Sequence, residues 1–437
     1  MDNSISLRAK AQLLDRVLRR KVDETVRGFA NQVKGSASVS ADFCRFEKHP
    51  AYEKVALTAE LSQKLGVENP YFKTHEASAG ATTMIDGRQY INFSSYNYLG
   101  LSGDPRINAA AKEAIDIYGT SASASRLVSG ERPVQQKLEH ALAKNYGVED
   151  ALVFVSGHAT NVTTLGCLFG PKDLIIHDSL IHNSMLEGAR LSGAARRSFP
   201  HNDYKALEGL LKDLRQQFER VVIVVEGIYS MDGDTSNLPL LVELKHRYHT
   251  LLMVDEAHSL GALGENGRGS HEHFSVPGKE VDIWMGTLSK SLASCGGYIA
   301  GSKALIDILK YSAPGFVYSV GIAPALAAAA LKALEIMTNE PERASQLRKQ
   351  SKLFLDECRA LNIPTGLSEG YDIIPVIIGS SLKASKISNK LFEKGINVQP
   401  IIYPAVEERA ARLRFFISSM HSDEQISQCV KTLASLV

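Results

Sequence analysis

Between residues 104 and 300 the chain alternates short apolar runs with longer stretches of helical periodicity, and this alternation restricts the fold more than any other feature. The runs 151–155, 174–177, 221–225, 251–254 and 297–300 are almost entirely apolar, while 204–220 and 238–248 between them repeat apolar residues at helical spacing. A strand of this composition has no polar face to offer water, so it is buried on both sides. The pattern predicts an α/β fold with a mostly parallel central sheet flanked by helices. Ligands of such sheets bind beyond the carboxyl ends of the strands. That rule gathers Ser156-Gly157-His158-Ala159, Glu226 with Ser230, and Asp255 with His258 at one rim.

At 437 residues, 44% hydrophobic and 22% charged, the chain exceeds one typical domain. The predicted division is a helical extension over 1–60, an arm and hairpin over 61–103, a large domain over 104–310 and a smaller α+β domain over 311–437. Residues 5–34 repeat apolar positions at helical spacing with dense Arg and Lys between, as an amphipathic helix does. Asp86-Gly87 reads as the turn of a hairpin. In the smaller domain the strands are expected over 373–378, 397–400 and 413–417.

A formal charge of +1 with both signs interspersed removes the electrostatic case for nucleic acid or an anionic membrane as partner. The five cysteines are odd in number, scattered and without CxxC, as in reduced thiols of a cytoplasmic protein. His271-Glu272-His273 suits no helix face and has no thiolate companions, so no metal site is expected. Residues 1–10 lack the apolar core of a signal peptide, and no apolar run is long enough to span a membrane.

The chemistry is carried by a pair of strand ends. The run 251–254 ends in Asp255, and the apolar stretch from 282 ends in Thr287-Leu288-Ser289-Lys290. An acid and a hydroxyl-flanked lysine so placed suit pyridoxal 5'-phosphate (PLP): the acid meets the pyridinium nitrogen and the amine forms a Schiff base. A lysine ending an apolar strand is desolvated, which frees its amine for attack and argues against a surface lysine. Asp255 needs a cationic partner unless it caps the next helix. His258 reaches toward the ring's phenolic oxygen or is packed in the core, and His182 stacks on the ring or is structural. Gly157 and His158 open a helix whose free N–H groups suit a phosphate, with Thr287 and Ser289 as further donors. Arg414, alternating into a hydrophobic strand, pairs with a substrate carboxylate or an internal acid.

Five ordered motifs resemble the α-oxoamine synthase family of fold-type I PLP enzymes over about 68–435: the stretch 92–101 with Asn97, residues 226–233, Asp255-Glu256-Ala257-His258-Ser259, Thr287-Leu288-Ser289-Lys290, and Arg412-Leu413-Arg414. The resemblance implies that Lys290 binds the cofactor and moves protons, Asp255 pairs with its ring nitrogen, His182 stacks, and His258 and Ser230 bond near the phenolic oxygen. It assigns Asn97 and Arg414 to the amino-acid carboxylate. The implied reaction removes a Cα proton from an amino acid, joins that carbon to an acyl thioester, and releases thiol and carbon dioxide to leave an α-aminoketone. Where the family places an aromatic residue in the phosphate turn, this chain has His158. Ser125 stands where glycine-specific members have threonine, leaving room for alanine or serine. The text around Gly130-Glu131-Arg132-Pro133 and His201-Asn202-Asp203 resembles members associated with polyketide synthases, whose acyl donor is a carrier-protein thioester in place of acyl-CoA. Family members are homodimers, and Ser319 resembles the segment reaching the phosphate from the neighbouring subunit. An aminotransferase on the same fold, or an inert binding protein that has kept it, are the alternatives.

Overall fold

The computed structural model describes residues 39–437; the amphipathic helix expected over 5–34 lies outside the described residues. The chain divides into two compact units. The smaller comprises, among the described residues, 39–73 with 377–394 and 399–413. Its helices Pro50–Lys64 and Ser381–Glu393 start as their sequences direct, the first with proline in its opening turn and the second capped by the Ser380 hydroxyl. Asn389 Nδ2 donates to the Glu68 carbonyl at 3.0 Å and ties the second helix to the segment after the first.

The larger unit comprises 74–376, 395–398 and 414–437. It begins with β1 (Thr82–Ile85) and β2 (Arg88–Asn92), joined by Asp86 and Gly87 at φ of 49° and 68°. Two successive positive φ values are what a two-residue hairpin turn needs, and Asp-Gly supplies them cheaply.

The central sheet has seven strands: β3 (Asp150–Phe154), β4 (Leu174–Asp178), β5 (Ala195–Phe199), β6 (Val221–Glu226), β7 (Leu251–Asp255), β8 (Ile283–Thr287) and β9 (Gly297–Gly301), in the spatial order 3-9-8-7-6-4-5. All neighbours are parallel except those of β9, which runs opposite to both β3 and β8. Strand β5 was not foreseen, because Arg196, Arg197 and Ser198 leave its middle exposed; it is an edge strand with one partner and needs no apolar face. The register sets Glu226 beside Asp255, and Phe154, Gly297 and Thr287 in line across the three strands at the other end of the same rim.

Packing fixes β8, the strand that leads to Lys290. Trp284 is fully buried, stacks on Tyr146 at 5.0 Å and donates to the Gly278 carbonyl at 2.8 Å. Tyr146 in turn shares a 2.7 Å hydrogen bond with Tyr298 on β9. Aromatic contacts of this kind add about 0.5–1.5 kcal/mol beyond the area they bury.

A second fixed point is His201. Its Nδ1 lies 3.1 Å from Asp178 and its Nε2 2.8 Å from Asp234. Burial opposes charge on the ring, but the two carboxylates overcome it and push His201 up to about 10. A folded-state value above the ordinary 6.5 stabilises fully below that value and is lost as pH rises through about 10. His201→Ala is therefore expected to cost about 3–5 kcal/mol at pH 6, since it leaves two buried carboxylates unpaired. Urea melts of both proteins check this: the difference should shrink above pH 10, and a pH-independent difference would contradict it. Among the described residues no helix is long and apolar enough to cross a membrane.

Candidate active site

Every residue of the site belongs to the larger unit. Lys290 follows β8 in a turn held by backbone bonds from Leu288 N to Gly296 O (2.9 Å), Ser294 N to Leu288 O (2.9 Å) and Ala293 N to Lys290 O (2.9 Å). Thr287 Oγ1 adds a 3.0 Å bond to the Gly296 carbonyl, and Leu288 and Leu292 are fully buried under the turn. The lysine is thus presented at the sheet rim by a rigid loop. Its amine lies 2.7 Å from His258 Nε2 and 5.5 Å from the centre of the Tyr96 ring. Burial pushes the Lys290 ammonium down to about 8, against the pull of Asp255, Glu226 and Asp372. At pH 7 about one amine in ten is then unprotonated, compared with roughly one in 3,000 for an ordinary lysine.

Asp255 ends β7 and is buried. It accepts from Asn161 Nδ2 and from the Ala257 amide, both at 2.9 Å, and forms no ion pair among the described residues. Its register neighbour Glu226 is pushed up to about 8 by burial and by Asp255, so it is protonated near neutrality. Of the two adjacent carboxyls, Glu226 is the one whose charge burial suppresses. Asn161 also donates to Ser184 Oγ at 3.0 Å, and Ser184 lies 2.7 Å from His182 Nδ1, so one chain of bonds orients both Asp255 and His182. The rings of His182 and His158 meet edge to face at 6.5 Å.

The helix Gly157–Leu168 starts beside this cluster, capped by Ser156 Oγ on the Ala159 amide. Its first-turn amides have no intrahelical acceptor. A Cβ added to Gly157 would meet Thr287 Oγ1 at 3.0 Å, so glycine lets the helix end approach the lysine loop. Arg414 Nη1 donates to the Ser230 carbonyl at 2.8 Å, and the Ser230 amide donates to Glu226 at 3.0 Å. Asn97 lines a cleft of about 330 Å³ with Ser289, Lys290, Tyr96 and His75; its own amide bonds the Ala79 carbonyl at 3.2 Å.

Two anticipated residues lie elsewhere. The Ser125 carbonyl accepts the Val128, Ser129 and Gly130 amides of a short helical turn, and Ser319 Oγ bonds the Val320 carbonyl at 3.3 Å. Neither touches the Lys290 cluster within one chain. Four residues not singled out from the sequence belong to it: Tyr98, whose hydroxyl lies 2.8 Å from His258 Nδ1, and Asn161, Ser184 and Asp372. Tyr98 stands inside the stretch 92–101 and Asn161 two residues beyond the turn 156–159, but only the fold reveals what they face.

The residues present fit PLP. Asp255 is a buried carboxyl with no ion pair among the described residues, Lys290 is a desolvated amine, and the Gly157 helix end lies against Thr287 with the free first-turn amides that a phosphate site requires, an approach a larger residue at 157 would crowd. Sheet, rim and donor set together define a fold-type I PLP-dependent transferase.

Comparison with known proteins narrows that class. Residues 88–433 match the family model for aminotransferase class I and II. The chain is 40% identical to 8-amino-7-oxononanoate synthase of Symbiobacterium thermophilum over 81% of its own length and 90% of the relative's. It is 38% identical to serine palmitoyltransferase of Sphingobacterium spiritivorum over 83% and 90%. Among solved structures, Sphingomonas wittichii serine palmitoyltransferase superposes with a TM-score of 0.84 at 30% identity, covering 89% of this chain and 97% of that one. The chain belongs to the α-oxoamine synthase family, PLP-dependent C-acyltransferases that join an amino acid to an acyl thioester with loss of carbon dioxide.

Proposed function

We propose that this enzyme condenses a small amino acid, alanine, serine or glycine, with an acyl thioester carried by an acyl-carrier protein or by CoA, releasing carbon dioxide and the thiol and leaving an α-aminoketone. The observation that carries the reading is the Lys290 amine, held 2.7 Å from His258 at the rim that also bears the unpaired anion of Asp255. When bound, PLP supplies a protonated heterocycle that withdraws the negative charge left at the amino acid's Cα.

In this reading Asp255 keeps the ring nitrogen protonated, His182 lies against the ring, and His258 and Ser230 address its phenolic oxygen. Gly157, His158, Thr287 and Ser289 address the phosphate, joined by Ser319 of a second copy. Lys290 binds the cofactor at rest, then takes and returns the substrate proton, as its depressed pKa suits it to do near neutrality. Arg414 and Asn97 orient the carboxylate that is lost, and Ser125 adjoins the amino acid's side chain. A cleft of about 330 Å³ lined by Ser94, Ser95, Asn97, Ser102 and Ser289 beside the larger Tyr96 and His75 suits a small amino acid.

A homodimer is part of the proposal. Leu127, Val128, Tyr318 and Val320 are exposed, and the Gly321 amide bonds the Ala124 carbonyl at 3.0 Å, so the Ser125 and Ser319 segments share one apolar surface. This supports a face at which each copy completes the other's site. The place of action proposed is the cytoplasm.

The test is release of labelled carbon dioxide from carboxyl-labelled amino acids, scored with each of several acyl-CoA and acyl-carrier thioesters. Release that requires a thioester, and is greatest with one small amino acid, is expected. Amino transfer to an oxoacid without carbon dioxide would make the protein an aminotransferase instead, and release only with CoA esters would remove the carrier protein.

A further inference from the structure

Behind the imidazole that faces Lys290 lies a carboxyl group the reaction above does not use. Asp372 immediately precedes the strand β10 (Ile373–Ile377), and its backbone carbonyl is pinned by the Ile417 amide at 2.9 Å. It is fully buried, forms no close ion pair among the described residues, and its carboxyl faces the Tyr98 hydroxyl as hydrogen-bond partner. An acid so enclosed is costly to keep unless something offsets it. What it faces is a line of polar groups ending at the lysine. Asp372 Oδ2 lies 3.9 Å from His258 Nδ1, Tyr98 hydroxyl 2.8 Å from the same nitrogen, and Lys290 Nζ 2.7 Å from His258 Nε2.

We infer that Asp372 is a positioning residue: acting through Tyr98 and His258, its carboxylate fixes the histidine tautomer that accepts a proton-bearing Lys290 amine. This rests on the reading of Lys290 as the cofactor-binding lysine.

The reasoning follows proton positions along the line. Burial, then Lys290 and Arg414, drive the His258 pKa well down, so the imidazole is neutral and holds one N–H. Tyr98 likewise stays protonated, chiefly through burial and then through Asp372. With a carboxylate at position 372, the Tyr98 O–H turns toward it. The phenolic oxygen then accepts from His258 Nδ1–H, which leaves Nε2 bare to accept from the Lys290 ammonium. With a neutral group at 372, the Tyr98 O–H is released to donate to Nδ1. The imidazole proton then sits on Nε2, pointing at the amine and disfavouring its charged form.

Other charges face the same groups and are common to wild type and variants. Lys290 is faced by Asp255 from β7, Glu226 from β6 and Arg414. His258 is faced by Lys290, Arg414 and His182. Asp372 is faced by Lys290 and Tyr98, and is itself pushed up to about 7 by burial. Its influence is therefore complete only above neutrality.

The test measures how fast full-length protein, stripped of cofactor, recaptures added PLP as a borohydride-stable adduct across pH 6 to 10. Capture needs the uncharged amine, so its rate rises through the Lys290 midpoint. Asp372→Asn preserves shape and removes charge; it is expected to lower that midpoint by about one unit, which speeds capture below the midpoint about tenfold. Tyr98→Phe breaks the line without removing the carboxylate and should shift it in the same sense. Thermal melts matching wild type separate this effect from a purely structural one. Equal midpoints in wild type and both variants would overturn the inference while leaving Lys290 in place. Wild-type capture at a residue other than Lys290 would instead overturn the reading beneath it.

Discussion

Lys290→Ala protein is expected to fold as the wild type does, to bind PLP only reversibly, and to lose turnover by more than about 10⁴-fold. The size follows from the number of tasks the amine performs. It is the proposed covalent anchor and also the group proposed to carry the substrate proton, a role worth about 10²–10⁴ by itself. The fold should survive because the turn that presents the lysine is held by backbone bonds and by buried Leu288 and Leu292, none of which involve the amine. Removing a desolvated ammonium even relieves a cost. Activity within tenfold of wild type, with the cofactor fixed elsewhere, would contradict the assignment.

Asp255→Asn is expected to lower turnover on the order of 10³-fold, the scale seen when one preorganised electrostatic group is removed from a dry site. Asparagine retains the bonds from Asn161 and Ala257 only in part and supplies no charge for a ring nitrogen. The loss has a built-in limit. Glu226, beside Asp255 in register, is held protonated by burial and by the Asp255 charge, so with that charge gone it ionises more easily and replaces some of it. Glu226→Gln alone should therefore have a small effect, while the double variant should fall below Asp255→Asn by roughly a further tenfold. Additive losses in this cycle would show that the two carboxyls do not share one charge.

The parts of the fold legible in the sequence are those that physics writes locally. Strands buried on both faces must be apolar throughout, so β3, β4, β6, β7 and β9 stood out as runs, and Asp86-Gly87 marked its turn. Strand β5 did not, because an edge strand exposed at Arg196, Arg197 and Ser198 has no such requirement. For the site, residues at strand ends were visible because an acid or amine breaking an apolar run is conspicuous. Asp255 and Lys290 are legible that way, and His258 by standing three residues beyond Asp255. Partners brought in from distant segments carried no local mark: Asn161 is 94 positions from Asp255, and Tyr98 is 160 from His258. Asp372 does break the entry to an apolar strand as Asp255 ends one, and the same signal would have drawn attention to it.

Peptide mapping of the borohydride-reduced native enzyme tests the central claim most directly. A single pyridoxyl group on the peptide containing Lys290, absent from every other lysine-containing peptide and lost in Lys290→Ala, is expected. Adduct on another lysine, or none in an enzyme that still releases carbon dioxide, would contradict it.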